Sequence, residues 1–165
     1  MARELALVAL MMCSGCSLIL DFGTSAVPID AMIDAPYTQP QCDYMEPNGT
    51  FAQAATIVPG TDTGPAAICA DAAEDDAFYK FTVPTNTKVT VSLAFTARVG
   101  GDLDLRLYDS TMTMVGQSRE IGPETLVCPA VSPLCPHLAP GDYVFEVFPG
   151  APGQVNAYTF CVAIQ

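Results

Sequence analysis

The sequence predicts an all-β domain, an antiparallel β-sandwich of the jelly-roll kind, over residues 42–165. Apolar and polar side chains alternate with a period of two in several short segments, and Pro and Gly turns separate these segments. After Gln41 no segment sustains a helical period. Short strands without intervening helices indicate two packed antiparallel sheets or a barrel.

Four segments show the alternation most clearly, and they are residues 88–95, 102–109, 143–148 and 156–164. In the second of them three leucines face one side, while charged residues and a tyrosine face the other. Each segment therefore predicts a strand with one buried face. In the last strand Cys161 falls on the side opposite the aromatic residues.

The first 15 residues predict an export signal. Residues 5–12 are apolar but too short for a helix that crosses a bilayer, which needs roughly 20 residues. Small residues, Ser14 and Gly15, stand directly before Cys16, and this pattern resembles the lipobox of bacterial lipoproteins. The resemblance implies cleavage before Cys16 and a diacylglyceryl group on its thiol. The alternative is an ordinary secretory signal that is cut nearby.

Residues 16–41 predict a flexible tether between this anchor and the domain, because they mix Pro, Ala, Ser and Asp without periodicity. Ser17 follows the cysteine, where Asp would indicate retention in the inner membrane of enterobacteria. By the same resemblance we expect an outer-membrane lipoprotein in the cell envelope.

The formal net charge of −12 excludes some partners. Nucleic acid and anionic headgroups would meet repulsion, whereas cations are favoured. The alternative is that the acidity only keeps an exported protein soluble.

Seven cysteines in a chain that begins with an export signal predict disulfides. Cys13 and Cys16 belong to the signal region, and the others are Cys42, Cys69, Cys128, Cys135 and Cys161. Five cysteines form two bridges in several combinations with one left over. We favour Cys128–Cys135, which brackets a short proline loop, and then Cys42–Cys69. A zinc site is excluded by spacing, and His137 is interpreted as a solvated loop residue.

Several motifs resemble the bacterial pre-peptidase C-terminal (PPC) domain, a β-sandwich found beside secreted proteases. The resemblance begins at Glu46-Pro47-Asn48 and covers residues 44–164. Its other motifs lie at residues 74–81, 88–91, 101–109, 139–144 and 157–160. A segment rich in proline and cysteine at 128–136 departs from the pattern.

The resemblance implies a calcium ion, because related modules hold one between the E-P-N segment and the acidic turn. Hard cations take carboxylate, amide and carbonyl oxygens. The candidate ligands are Glu46 and Asn48 on one side and Asp71, Glu74, Asp75 and Asp76 on the other. A Cys42–Cys69 bridge would hold the two segments together. The alternative is a solvated acidic turn at the start of a strand.

The function predicted is a noncatalytic, surface-anchored binding protein that recognises protein or glycan, or assists a secreted enzyme. Outward aromatics such as Tyr108 and Phe148 are candidate contacts, unless they only cover the sheet. A small polysaccharide hydrolase using Asp102 and Asp104 is an alternative, because these residues share one face of a strand. For both aspartates we favour structural hydrogen bonds to neighbouring loops. A purely structural envelope protein is the remaining alternative.

Overall fold

The computed structural model describes residues 42, 44–69, 76–85, 87–96, 101–130 and 135–165. These residues form two sheets packed face to face, so the predicted all-β sandwich is confirmed. The signal, Cys16 and the tether lie outside the described residues and stay predictions. Among the described residues there is no helix with the length and apolarity needed to cross a bilayer.

Five strands form one sheet. In spatial order they are β1 (Ala55–Thr56), β3 (Ala77–Val83), β8 (Gly141–Pro149), β5 (Leu103–Asp109) and β6 (Met114–Ser118). The pairings are antiparallel except for the short parallel contact between β1 and β3. A 3-10 turn at Phe51–Gln53 precedes β1.

Four strands form the second sheet. In spatial order they are β2 (Asp62–Ile68), β9 (Asn156–Ile164), β4 (Val89–Phe95) and β7 (Glu124–Cys128), and all their pairings are antiparallel. The connection between β6 and β7, residues 119–123, therefore crosses from one sheet to the other.

The predicted alternation places the core correctly. In β5 the three leucines, Leu103, Leu105 and Leu107, are completely buried between the sheets. Aromatic rings from both sheets meet there, and the Tyr79 and Phe160 centroids lie 4.3 Å apart. Burying such large apolar side chains is the main stabilisation available to a sandwich of this size.

Strand β8 departs from the half-buried pattern, because its outward residues are buried as well. Val144, Glu146 and Phe148 have exposed fractions of 4, 4 and 6%. Long side chains from β5 lie across this central strand and cover part of its outer face. The period of two predicts which way a side chain points, but it carries no information about what covers that face.

Both favoured disulfides are present. Cys42–Cys69 joins the segment before the 3-10 turn to the end of β2, with Cα atoms 5.9 Å apart. Cys128–Cys135 closes the loop after β7, with Cα atoms 5.0 Å apart. Cys161 is buried on the outward side of β9 and belongs to neither bridge.

Candidate functional site

The outer face of the five-stranded sheet carries a group of aromatic and charged side chains that we call the outer cluster. Its members are Phe51, Phe78, Arg106, Tyr108, Glu146 and Phe148. The strands supply all of them except Phe51, which comes from the 3-10 turn. The cluster therefore rests almost entirely on regular, hydrogen-bonded elements.

Glu146 is the centre of the outer cluster. Its Oε2 accepts a 2.6 Å hydrogen bond from the Tyr108 hydroxyl and lies 3.2 Å from Arg106 Nη1. The three residues come together because β5 pairs with β8 in a register that places Arg106 opposite Glu146. Burial and the Glu146 carboxylate raise the pKa of Tyr108 to about 12, so its hydroxyl stays a donor.

Phe148 is covered by two guanidinium groups. Arg106 lies 3.8 Å from the centre of its ring, and Arg119 lies 5.7 Å away. Arginine over an aromatic face is an attractive cation–π arrangement. Arg106 thus contacts both the carboxylate of Glu146 and the ring of Phe148, and about a third of its side chain stays exposed.

The outer cluster continues into exposed apolar side chains at the β5–β6 turn. Phe51 packs edge-on against Phe78 and Tyr108, with ring centroids 6.5 and 6.0 Å apart. Tyr108 pairs across the sheet with Met114, which is half exposed, and Met112 is 60% exposed. The Asp109 carboxylate fixes this turn by accepting backbone N–H bonds from Thr111 and Thr113.

Asp102 and Asp104 make structural bonds to the loop that follows β6, as favoured from the sequence. Asp104 is buried and its Oδ2 pairs with Arg119 Nε at 2.8 Å. Asp102 Oδ1 accepts the Gly122 backbone N–H at 3.0 Å. The structure brings both carboxylates to one end of the sandwich, and each already holds a partner there.

Only part of the calcium set lies within the described residues. Glu46 is exposed, Asn48 is buried, and Asp76 is half-buried just before β3. Asp71, Glu74 and Asp75 lie outside the described residues. Within the described ranges no group of three or more His, Cys, Asp or Glu side chains is placed to hold a metal ion.

Asn48 links Glu46 to the core. Its backbone N–H donates to Glu46 Oε2 at 2.6 Å, and its carbonyl accepts the Phe78 N–H. In the amide orientation that satisfies the hydrogen bonding of both its oxygen and its nitrogen, the Asn48 side-chain nitrogen also donates to Glu46 Oε1, at 2.6 Å. Asn48 therefore fixes the orientation of the Glu46 carboxylate, and the roles of both residues as calcium ligands stay predictions.

A buried pair of tyrosine hydroxyls lies behind Asn48. The Tyr79 and Tyr158 oxygens are 2.7 Å apart, and Tyr79 also interacts with the Asn48 side chain. Burial raises the pKa of Tyr79 to about 12 and that of Tyr158 well above its usual range. Both hydroxyls stay neutral, so this network ties the E-P-N segment to β3 and β9.

Sequence reasoning missed two buried carboxylates, Glu146 and Glu124. The signal for Glu146 was a carboxylate between outward Val144 and Phe148 in an otherwise apolar strand. The signal for Glu124 was its position two residues before the inward Leu126, which places both side chains on the same face of β7. A charged residue in phase with apolar neighbours predicts a carboxylate that needs a partner.

Fold and site together define a two-sheet β-sandwich with an aromatic and arginine-covered outer face. Neither a family model nor a curated protein sequence matches this chain. Among solved structures, the chain is similar to the pre-peptidase C-terminal domain of a collagenase from Bacillus anthracis. The identity is 14%, over 65% of this chain and 91% of that one, and the TM-score is 0.49.

The chain is also similar to Aeromonas hydrophila PliG, a periplasmic lysozyme inhibitor of g-type lysozyme. Here the identity is 15%, over 55% of this chain and 76% of that one, and the TM-score is 0.39. The first of the two structures carries the domain name that the sequence motifs suggested. Likenesses at these levels assign no function to this chain.

Proposed function

We propose that this chain is an exported, noncatalytic binding protein that is anchored by lipid on Cys16 and recognises a protein partner. The proposed contact surface consists of the accessible members of the outer cluster, Phe51, Arg106 and Tyr108, together with the neighbouring Met112 and Met114. The observation that carries the proposal is the fixed arrangement around Glu146, which holds Tyr108 and Arg106 in place on the outer face. Groups fixed before binding lose little conformational entropy when a partner docks.

The residue types favour protein over glycan as the partner. Aromatic residues, Met and Arg are enriched at protein interfaces, and this surface combines all three. Met112 and Met114 are largely exposed, on a turn that Asp109 holds in one conformation. Flexible methionine side chains on a fixed backbone can adapt to an apolar partner surface.

The partners of Asp102 and Asp104 support a noncatalytic function. A glycosidase needs one carboxyl group to protonate the leaving oxygen and a second to act as nucleophile or base. Here Asp104 is buried against Arg119, and Asp102 holds the Gly122 backbone. Both carboxylates serve the loop between β6 and β7.

Export is supported by the two disulfides, since such bridges form and persist in oxidising compartments. Anchoring through Cys16 is tested with a Cys16→Ala variant. We expect the wild-type chain in the membrane fraction and the variant in the soluble exported fraction. A variant that stays in the membrane fraction would contradict the anchor.

The contact surface is tested by site-specific photo-crosslinking in an exporting bacterial host. A photoreactive residue replaces Met114 on the proposed surface, and in a control chain it replaces Thr125 on the outer face of the other sheet. We expect a discrete protein adduct from position 114 that is lost when Tyr108→Ala is added, and no adduct from position 125.

The same experiment separates the alternatives. Equal adducts from positions 114 and 125, or none from 114, would contradict a protein site on this face. Retention of the chain on envelope polysaccharide without any protein adduct would favour the glycan alternative. The Tyr108→Ala chain must keep its cooperative unfolding transition for its loss of adduct to count.

A further inference from the structure

The connection between β6 and β7 is held by carboxylates from three places in the chain. Asp104 pairs with Arg119 at its start, and Asp102 accepts the Gly122 N–H near its end. Between them Glu124 Oε1 accepts the Glu120 N–H at 2.8 Å. At the tip of the same connection Ile121 is 94% exposed.

Glu124 is the unusual member of this group. It is only 1% exposed, and its Oε2 atom has no hydrogen-bond partner among the described residues. Leu93 lies opposite it on β4 and offers no polar group. A buried carboxylate oxygen without a partner is costly when the group is ionised and much less costly when it is protonated.

The surrounding charges act in the same direction. The described charged groups near Glu124 are Asp102 just before β5, Asp104 within β5, and Arg119 and Glu120 in the connection itself. The only cation among them, Arg119, is bonded to Asp104. Burial raises the pKa of Glu124; hydrogen bonds from Ser118 and Glu120 lower it in part, and Asp104 and Asp102 raise it.

We propose that residues 119–123 form a pH-responsive latch, which is closed while the Glu124 carboxyl is protonated and is released when this carboxyl ionises. Ionisation adds a third carboxylate charge beside Asp102 and Asp104, and the simplest relief is for the connection to move and let water reach Glu124. Arg119 belongs to the same segment, so release also withdraws one of the two guanidinium groups that cover Phe148.

The latch is tested by amide hydrogen exchange of the full exported chain across pH 4.5 to 8, after correction for the intrinsic exchange rate. In the same samples the Glu124 carboxyl carbon is titrated by NMR. We expect the protection factors of the Glu120 and Gly122 amides to fall by about tenfold or more as Glu124 ionises. A Glu124→Gln variant, which keeps the shape and cannot ionise, should retain protection at every pH.

A second turn provides the internal control. The Thr113 amide donates to the Asp109 carboxylate, whose pKa is lowered by its bonds from Thr111 and Thr113. The protection factor of the Thr113 amide should stay constant between pH 4.5 and 8. Unchanged protection of Glu120 and Gly122 in the wild type, or an equal loss in Glu124→Gln, would overturn the latch. Neither result depends on the proposed partner.

Discussion

At the scale of single residues, the Tyr108–Glu146 hydrogen bond is expected to stabilise the fold as well as the outer cluster. Tyr108→Phe keeps the ring that packs against Phe51 and removes only the hydroxyl that donates to Glu146. Because the acceptor is a buried carboxylate, we expect the free energy of unfolding to fall by about 1.5–3 kcal/mol. Urea denaturation of the two chains measures the difference.

A matched control is available in β8. The Tyr143 hydroxyl donates to the neutral Ala139 carbonyl at 3.0 Å, so Tyr143→Phe removes the same atoms from a bond without charge. We expect a smaller loss, of about 0.5–1.5 kcal/mol. Equal losses in the two variants would show that the charge of Glu146 adds nothing.

Glu124 predicts a stability that depends on pH. Because its pKa is raised in the fold, the folded chain keeps this proton at pH values where the unfolded chain has lost it. The stabilisation is complete below the usual glutamate pKa of about 4.3 and is lost as the pH rises through the raised value. A glutamine at this position does not titrate.

We therefore expect Glu124→Gln to gain stability relative to the wild type as the pH rises from 4 to 8. The measurement is the free energy of unfolding of both chains in urea at several pH values. Parallel curves would mean that Glu124 has the same pKa in the folded and unfolded states.

At this scale the sequence predicts the direction of a side chain but not the partners of a buried carboxylate. Alternation gave the inward direction of Leu103, Leu105 and Leu107, because direction follows from the backbone period alone. It could not give the partners of Glu146, because Arg106 and Tyr108 reach it only through the pairing of β5 with β8. The register between two strands depends on the whole sheet and cannot be predicted from the sequence of one segment.

At the scale of elements, the Cys42–Cys69 bridge is expected to be an important constraint on the N-terminal part of the domain. It closes a loop with a sequence separation of 27 residues. Chain-entropy arguments give about 3–4 kcal/mol for such a loop. We expect Cys42→Ala with Cys69→Ala to lower the free energy of unfolding by about this amount, as measured by urea denaturation.

The second bridge is the natural comparison. Cys128–Cys135 closes a loop with a separation of 7 residues, for which the same argument gives about 2.5 kcal/mol. Its sulfur atoms are also packed, since a Cβ on Gly116 would lie 3.0 Å from Cys135 Sγ. If removing this bridge proves far more costly than removing Cys42–Cys69, packing rather than loop closure is the larger effect.

The sequence predicts the position of a strand best where polar or small residues on one face alternate with apolar residues on the other. Strands β4 and β9 match their predicted segments because outward Thr, Ser and Ala alternate with inward apolar residues. Strand β2 was not predicted, since Gly64 and Pro65 interrupt its pattern and its pairing with β9 shifts between Thr63 and Ala66. A bulge destroys the period of two on which the prediction rests.

At the scale of the whole molecule, the net charge of −12 makes any cation effect a question of specificity. Every salt screens repulsion between carboxylates, so a rise in melting temperature with calcium alone proves little. The predicted calcium site makes a more specific claim, because two hydrogen bonds from Asn48 hold the Glu46 carboxylate in one orientation. Calcium accepts such irregular oxygen sites, whereas magnesium requires near-octahedral geometry and keeps its waters.

The calcium prediction is therefore tested by comparing the rise in melting temperature between calcium and magnesium, and between variants of the chain. In thermal melts of the soluble Cys16→Ala chain at constant ionic strength, we expect calcium to raise the melting temperature in a concentration-dependent way and magnesium to raise it less. Glu46→Gln should abolish the calcium response. Asp142→Asn removes an equal charge from an exposed carboxylate bonded to Thr82, and should preserve it. Equal responses to the two ions, or a calcium response that survives Glu46→Gln, would reduce the acidic segment to solvated surface.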